Sequence, residues 1–336
     1  MNQSSIVDCK LVVLTPIKNE AWILEQFLII SSIFADHIVI ADQHSTDGSK
    51  DIVRKFPKAH IIENSSTVYD EASRQLALIN AARTLFPDSK NVFLCLDADE
   101  IFSANSVSNV TEWEQIKTLK PGTTVYFEKP DILYGLENCV RWRDNYFPIG
   151  YVDDGRLHQP KSIHSKRVPD NPDGGKVFIE NIKVLHLAHS RKNVQSSKLR
   201  YYSVIENIQN SKRFYTRRFA YPSFYNELNS YPSENIEKIP SDWLNGWLVR
   251  GIHFSNFPDP IYSWHDFEVL KYFKIYGYRN FHLDNIWEFD WEKVRQIAIE
   301  EGRDAPATPI KKPSFFLSLF LKMTDRFFSI YRGIVH

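Results

Sequence analysis

Three carboxylates fall within four positions, at Asp97, Asp99 and Glu100, directly behind the apolar run Asn91 to Leu96. Acids packed that tightly repel one another unless a cation sits among them. Hard oxygen ligands suit magnesium or manganese, ions that keep open positions for substrate phosphates. A D-x-D at the carboxyl end of a strand therefore points to a divalent metal bridging protein to a diphosphate. The plain alternative, a polar loop after a strand, is weighed against the residues that accompany the motif.

Residues 10 to 100 alternate strand and helix signals with short connections. Strands are expected at Leu11 to Leu14, His37 to Ala41, His60 to Ile62 and Asn91 to Leu96. Helices are expected from about Glu20 to Phe34, after Asp47-Gly48, and from about Asp70 to Leu85. The first helix would turn Leu24, Phe27 and Leu28 to the sheet, and the last Ala72, Leu76 and Ile79. This rhythm predicts an α/β fold with an open, mostly parallel sheet and helices on both faces. Ligands in such sheets bind beyond the carboxyl ends of the strands. Pro16, Lys18, Asn19 and Glu20 follow the first strand, and Asp42, Gln43, His44, Ser45 and Asp47 follow the second. With the acid cluster they would form one polar cleft floor, with Asp42 placed to accept hydrogen bonds from a base or ribose. Neither G-x-G-x-x-G nor G-x-x-x-x-G-K-[ST] occurs, which argues against a dinucleotide enzyme or a P-loop NTPase.

The 41 basic and 41 acidic residues of this 336-residue chain cancel, so no global field draws it to nucleic acid. Cys9, Cys95 and Cys139 lack metal-ligand spacing and read as free thiols in a reducing cytoplasm. The N-terminal residues carry no secretory signal pattern, and nowhere do 18 consecutive apolar residues occur.

TPIKNE (Thr15 to Glu20), IVIADQHSTDGS (Ile38 to Ser49), SRQLALINAAR (Ser73 to Arg83) and FLCLDADE (Phe93 to Glu100) resemble, in order and spacing, the nucleotide-binding half of family 2 glycosyltransferases with the GT-A fold. The resemblance implies a nucleotide-sugar donor and an inverting, metal-dependent transfer. Pro16 and Glu20 would line the nucleotide pocket, Asp42 would touch the base or ribose, and Arg74 would approach the nucleotide. Asp97 and Asp99 would face the diphosphate and its manganese or magnesium. Many members carry a second acid after the one matching Asp42, where this chain has Gln43.

DDGRLH (Asp153 to His158), SIHSKRVP (Ser162 to Pro169) and VLHLAHS (Val184 to Ser190) resemble a motif series of the bacterial surface-polysaccharide branch of that family. His186 would then return to the cleft as a late metal or diphosphate ligand, with His164 and His189 as weaker candidates. Inversion requires one carboxylate base on the acceptor side, for which Asp153 and Asp154 are the candidates, and Arg156 would complement the phosphates. An Asp-Gly pair equally marks a simple turn.

Three stretches are expected: a nucleotide-sugar-binding and catalytic domain over 1–198, a helical, aromatic-rich acceptor-side region over 199–303, and a linker with an amphipathic helix over 304–336. In the last, Phe316, Leu319, Phe320, Met323, Phe327, Ile330 and Tyr331 form one stripe. That stripe would suit its own domain, a partner subunit or a peripheral membrane contact through 314–332. The function expected is a cytoplasmic glycosyltransferase acting on a glycan or lipid-linked acceptor in surface polysaccharide synthesis. The rivals are a nucleotide-sugar-binding module without turnover and a metal-dependent nucleotidyltransferase or phosphohydrolase. A homo-oligomer is compatible with all three.

Overall fold

The computed structural model describes residues 9–335 apart from 65–69, 143–144, 159–165, 210–213, 222, 225–230 and 256. The chain forms two compact units, Met1–Ser190 with Tyr231–Phe257, and Arg191–Ser230 with Pro258–His336.

The first unit opens with β1 (Cys9–Ile17), α1 (Leu24–Phe34), β2 (His37–Asp42), α2 (Ser49–Val53), β3 (Ala59–Glu63), α3 (Glu71–Leu85) and β4 (Lys90–Cys95). Its four strands are parallel, with β1 between β2 and β4 and β3 outside β2. β1, β2 and β4 are nearly continuous apolar runs because both of their faces are covered. Leu11, Val13, Ile38, Ile40, Val92 and Leu94 pack with Leu24, Phe27 and Leu28 of α1. The alternate residues Val12, Leu14, Val39, Ala41 and Phe93 pack with Leu78, Ile79 and Ala82 of α3. Ile79 faces the sheet as expected, while Leu78 and Ala82 are buried where Ala72 and Leu76 were expected. Gln75 of α3 is also buried, because its amide reaches Cys95 Sγ at 3.4 Å and the Arg167 carbonyl at 2.8 Å.

The sheet continues through β5 (Glu100–Phe102), β6 (Thr124–Glu128), β7 (Asp131–Ile132), β8 (Asn138–Val140), β9 (Tyr146–Val152) and β10 (Lys176–His186), with α4 (Val110–Thr118) between β5 and β6. The chain then passes through α5 (Lys192–Gln209) and α6 (Phe214–Ala220) of the second unit. It returns to the first at β11 (Ile236–Lys238) and α7 (Asn245–Leu248). The order is β11-β8-β7-β10-β6-β9-β4-β1-β2-β3, and β5 pairs with β10 off that path.

One strand sets the polarity of the site. β9 runs antiparallel between β4 and β6, matching Val92 with Val152 and Glu128 with Tyr146, so β6 runs the same way as β4. β10 is parallel to β6. The carboxyl ends of β1, β2, β4, β6 and β10 therefore share one edge, and β9 ends on the other. The wedge is tight at Gly150, where a Cβ would lie 2.9 Å from Leu94 Cδ2 and 3.3 Å from both Phe93 O and Val125 Cβ.

The aromatic residues of the second half divide between the units. Trp243 and Trp247 lie in the core of the first, where the Trp247 indole donates to the Phe102 carbonyl at 2.9 Å. The second unit is helical, built from α5, α6, α8 (Trp264–Tyr276), α9 (Trp291–Glu300) and α10 (Phe315–Val335). Phe273 meets Phe281, Trp287 and Trp291 in it. Arg200 is buried there, bidentate to Asp266 at 2.9 and 3.1 Å and 3.6 Å from the Phe289 ring centroid. Cys9, Cys95 and Cys139 form no disulfide among the described residues. Among the described residues, no helix is long and apolar enough to cross a membrane.

Candidate functional site

The loops after β1 and β2 are tied into one platform. Asn19, in the left-handed region at φ 58°, receives the Thr46 amide on its side-chain oxygen at 2.8 Å and donates its own amide to Ser45 Oγ at 2.9 Å. Glu20 and Ala21 donate their amides to Ser49 Oγ at 3.0 Å and Asp47 Oδ2 at 2.9 Å. Pro16 stands half-buried near the end of β1, and the Glu20 carboxylate accepts the Trp22 indole proton at 2.7 Å. Asp42 is buried at the end of β2, 3.2 Å from Lys50 Nζ and 3.3 Å from the Ser45 amide. Hydrogen bonds to Glu63 and Asp42 raise the Lys50 ammonium above its ordinary pKa. Arg74 is half-buried in the first turn of α3, the end of that helix from which Gln75 reaches Cys95.

Beyond β4 the three acids take three different positions. Glu100 is buried, accepts the Asp97 amide at 3.0 Å, and pairs with Lys129 Nζ at 3.0 Å and with Arg167. Burial alone would raise its pKa, but the charges of Arg167 and Lys129 outweigh burial and hold it well below the usual carboxylate range. Asp97 is 2.6 Å from Arg167 Nη2, so it shares that guanidinium with Glu100. Burial disfavours the Arg167 charge, yet Asp97 and Glu100 push its pKa well above the ordinary value. Asp99 turns instead to His186 at the end of β10, with Oδ2 4.0 Å from Nε2.

The other ring nitrogen of His186, Nδ1, lies 2.6 Å from Asp131 Oδ1 on β7. His189 Nε2 is 3.7 Å from the same oxygen, and Tyr231 Oη is 3.0 Å from His189 Nδ1. One donor atom from each of Asp131, His186 and His189 lies within 4.8 Å of the others. Burial would raise the Asp131 pKa, but the hydrogen bond and charge of His186 bring it down to about 2. This donor chemistry fits a divalent ion. An Asp99 oxygen and a His186 nitrogen 4.0 Å apart can both reach one ion at about 2.1 Å, and a mixed carboxylate and imidazole set suits manganese-like ions better than magnesium.

The structure brings Pro16, Glu20, Asp42, Arg74, Asp97, Asp99 and His186 to the carboxyl edge, and it does not bring Asp153, Asp154 or Arg156 there. Because β9 is antiparallel, its end lies beside the start of β4, where the Asp153 amide donates to the Asn91 carbonyl at 2.9 Å. Asn91 and Asp97 are separated by about 20 Å of extended chain at roughly 3.3 Å per residue. Asp153 is bidentate to Arg83, at 2.9 and 2.6 Å, and Asp154 pairs with Arg156 at 2.6 Å. Asp153 and Asp154, expected as candidate bases, and Arg156, expected beside the phosphates, thus stand as ion-paired residues of the opposite edge, away from the acid cluster. His164 lies outside the described residues.

Sequence reasoning missed Lys129, Asp131 and Arg167. The first two follow β6 in the run EKPD, so the rule that picked out Asp42 and Asp97 would have found them. Arg167 lies in the SIHSKRVP stretch, whose candidate was His164, and reaches the acids from a long connection.

No family model and no curated protein matches this chain. Among solved structures it is similar to 4-diphosphocytidyl-2C-methyl-D-erythritol synthase from Anaerococcus prevotii. That match is 16% identical at a TM-score of 0.28, covering 43% of this chain and 70% of that one. A second 4-diphosphocytidyl-2C-methyl-D-erythritol synthase matches at 14% identity and a TM-score of 0.28, covering 44% of this chain and 75% of that one.

Proposed function

We propose that this chain is a metal-dependent transferase working on a nucleoside-diphosphate substrate. The reaction in this reading is the inverting transfer of a sugar from a nucleotide-sugar donor to a glycan or lipid-linked acceptor, in the cytoplasmic synthesis of a bacterial surface glycan. The observation that carries the reading is the approach of Asp99 and His186 to 4.0 Å on the sheet edge that also holds Asp42 and Asp97.

In this reading Pro16, Glu20 and Arg74 border the nucleotide, and Asp42 accepts hydrogen bonds from its ribose or base. Asp99 and His186 hold a manganese or magnesium ion, with Asp97 facing the diphosphate. When bound, such an ion neutralises the charge that develops on a departing nucleoside diphosphate. Asp131 keeps His186 oriented, and Arg167 with Lys129 offsets the negative charge of Asp97 and Glu100, so that the acid floor repels a phosphate less.

A second reading rests on the position of β9. With Asp153 and Asp154 on the far edge, neither expected base stands beside the acid cluster, yet sugar transfer to a hydroxyl calls for one. Nucleotidyl transfer to a phosphate-bearing acceptor needs none, because the attacking oxygen is already anionic. Both readings predict manganese-dependent nucleotide binding, and their products differ. Calorimetric titration with UDP, GDP, CDP and dTDP, each with and without manganese, tests the shared part. Product analysis then separates them, since nucleoside diphosphate marks sugar transfer and pyrophosphate marks nucleotidyl transfer. Tight donor binding with neither product would instead mark a binding module. Absence of binding by every nucleotide in both conditions would overturn the cleft assignment.

A further inference from the structure

Helix α10 turns one narrow face to its own unit and the wider one outward. On the inner side Leu321 is 3% exposed, and Asp325 pairs with Arg218 of α6 at 2.6 and 2.8 Å. On the outer side Phe315, Phe316, Leu319, Phe320, Met323 and Phe327 are between 47% and 81% exposed. At about 100° per residue these six fall on one continuous arc, with Leu321 and Asp325 on the opposite side. Docking on its own unit thus accounts for Leu321 and Asp325 and leaves the aromatic arc facing solvent. Such a patch marks an interaction site.

The charges that the helix and the residues just before it place beside the arc are basic. Lys322 and Arg326 lie along its border, and Lys311 and Lys312 are exposed just before the helix. The one acid within 311–327 is Asp325, which Arg218 neutralises; Glu288 stands 3.9 Å from Lys322. An apolar arc bordered by lysine and arginine, on a helix too polar to span a bilayer, matches the pattern of a helix lying in the plane of a membrane interface.

We propose that the outer face of α10 docks on an anionic lipid surface, with its aromatic side chains entering the acyl boundary and Lys311, Lys312, Lys322 and Arg326 meeting lipid phosphates. This inference rests on α10 alone and stands independently of the transfer chemistry.

The test is co-sedimentation of the full chain with vesicles of phosphatidylcholine alone and of equimolar phosphatidylcholine and phosphatidylglycerol. The expected result is binding to the anionic vesicles that weakens as salt rises. The double variant Phe316→Glu, Phe320→Glu should lower it at least tenfold, with an unchanged melting temperature and nucleotide binding. The pair Lys311→Glu, Lys312→Glu, on exposed positions before the helix, should lower binding to anionic vesicles alone. Equal binding to both vesicle types would overturn the electrostatic part. Absence of sedimentation with anionic vesicles would overturn the whole, and a dimer in light scattering that the Phe316→Glu, Phe320→Glu variant dissociates would assign the face to a second copy instead.

Discussion

His186 Nδ1 lies 2.6 Å from the Asp131 carboxylate, and that hydrogen bond decides which ring nitrogen faces Asp99. With the proton held toward Asp131, the lone pair of Nε2 is directed to the place where Asp99 Oδ2 waits 4.0 Å away. Partners of this kind typically contribute 10- to 100-fold to metal affinity. Asp131→Asn should therefore weaken manganese binding by roughly tenfold or more, read from the free-ion signal in electron paramagnetic resonance. His186→Ala should weaken it further. Unchanged affinity in Asp131→Asn would remove Asp131 from the site.

Arg167 ties Asp97 to Glu100, and Glu100 is wholly buried. Removing the guanidinium leaves Lys129 as the remaining cation in contact with Glu100 among the described residues, and an under-compensated buried carboxylate is strongly destabilising. Arg167→Ala should lower unfolding free energy by about 3 kcal/mol in urea denaturation. Adding Glu100→Gln should restore part of that loss, since the charge that needs compensation is then gone. A double variant no more stable than Arg167→Ala would show that the pair is not coupled in this way.

Placement of Asp153 and Asp154 on the amino edge has a direct kinetic consequence. Asp153→Asn and Asp154→Asn should keep manganese-dependent nucleotide binding and turnover near the parent level, whereas Asp99→Ala should abolish turnover while the fold persists. Asp153→Asn should still lower stability by about 1 kcal/mol through loss of its partly buried pair with Arg83. A selective loss of turnover in either asparagine variant would return that residue to the reaction.

Glu128, the last residue of β6, is 2.6 Å from Lys183 Nζ of β10 and paired with Arg141, which follows β8. Burial would raise its pKa, but Arg141 and Lys183 outweigh burial and lower it below 4.5. A carboxylate with a depressed folded pKa stabilises the protein above its unfolded pKa, and the contribution disappears as pH falls through the folded value. The parent should thus lose stability progressively below about pH 4.5. Glu128→Gln should be less stable at neutral pH and show a shallower acid slope, measured by denaturation at stepped pH.

Much of the first unit was legible in the chain because its signals are local. Apolar runs such as Leu11 to Leu14 and Asn91 to Leu96 declare strands buried on both faces, and polar residues crowd directly behind them at Glu20, Asp42 and Asp97. Parallel connections place those ends on one edge, so the acid floor followed from strand order alone. The return of His186 to Asp99 was expected from motif resemblance, since no local periodicity carries it.

What the sequence by itself determined is therefore the α/β alternation and the edge on which the acids collect, since strand period and strand ends depend on near neighbours. The tertiary structure alone decided the direction of β9, because an apolar strand reads the same pointing either way. That direction sends Asp153 and Asp154 to the opposite edge. It also decided that Arg167 neutralises Asp97 and Glu100 and that Asp131 holds His186. Residues 67 and 55 positions apart in the chain meet only when packing brings their elements together, and a charge can find its partner across that distance without leaving a trace in the residues beside it.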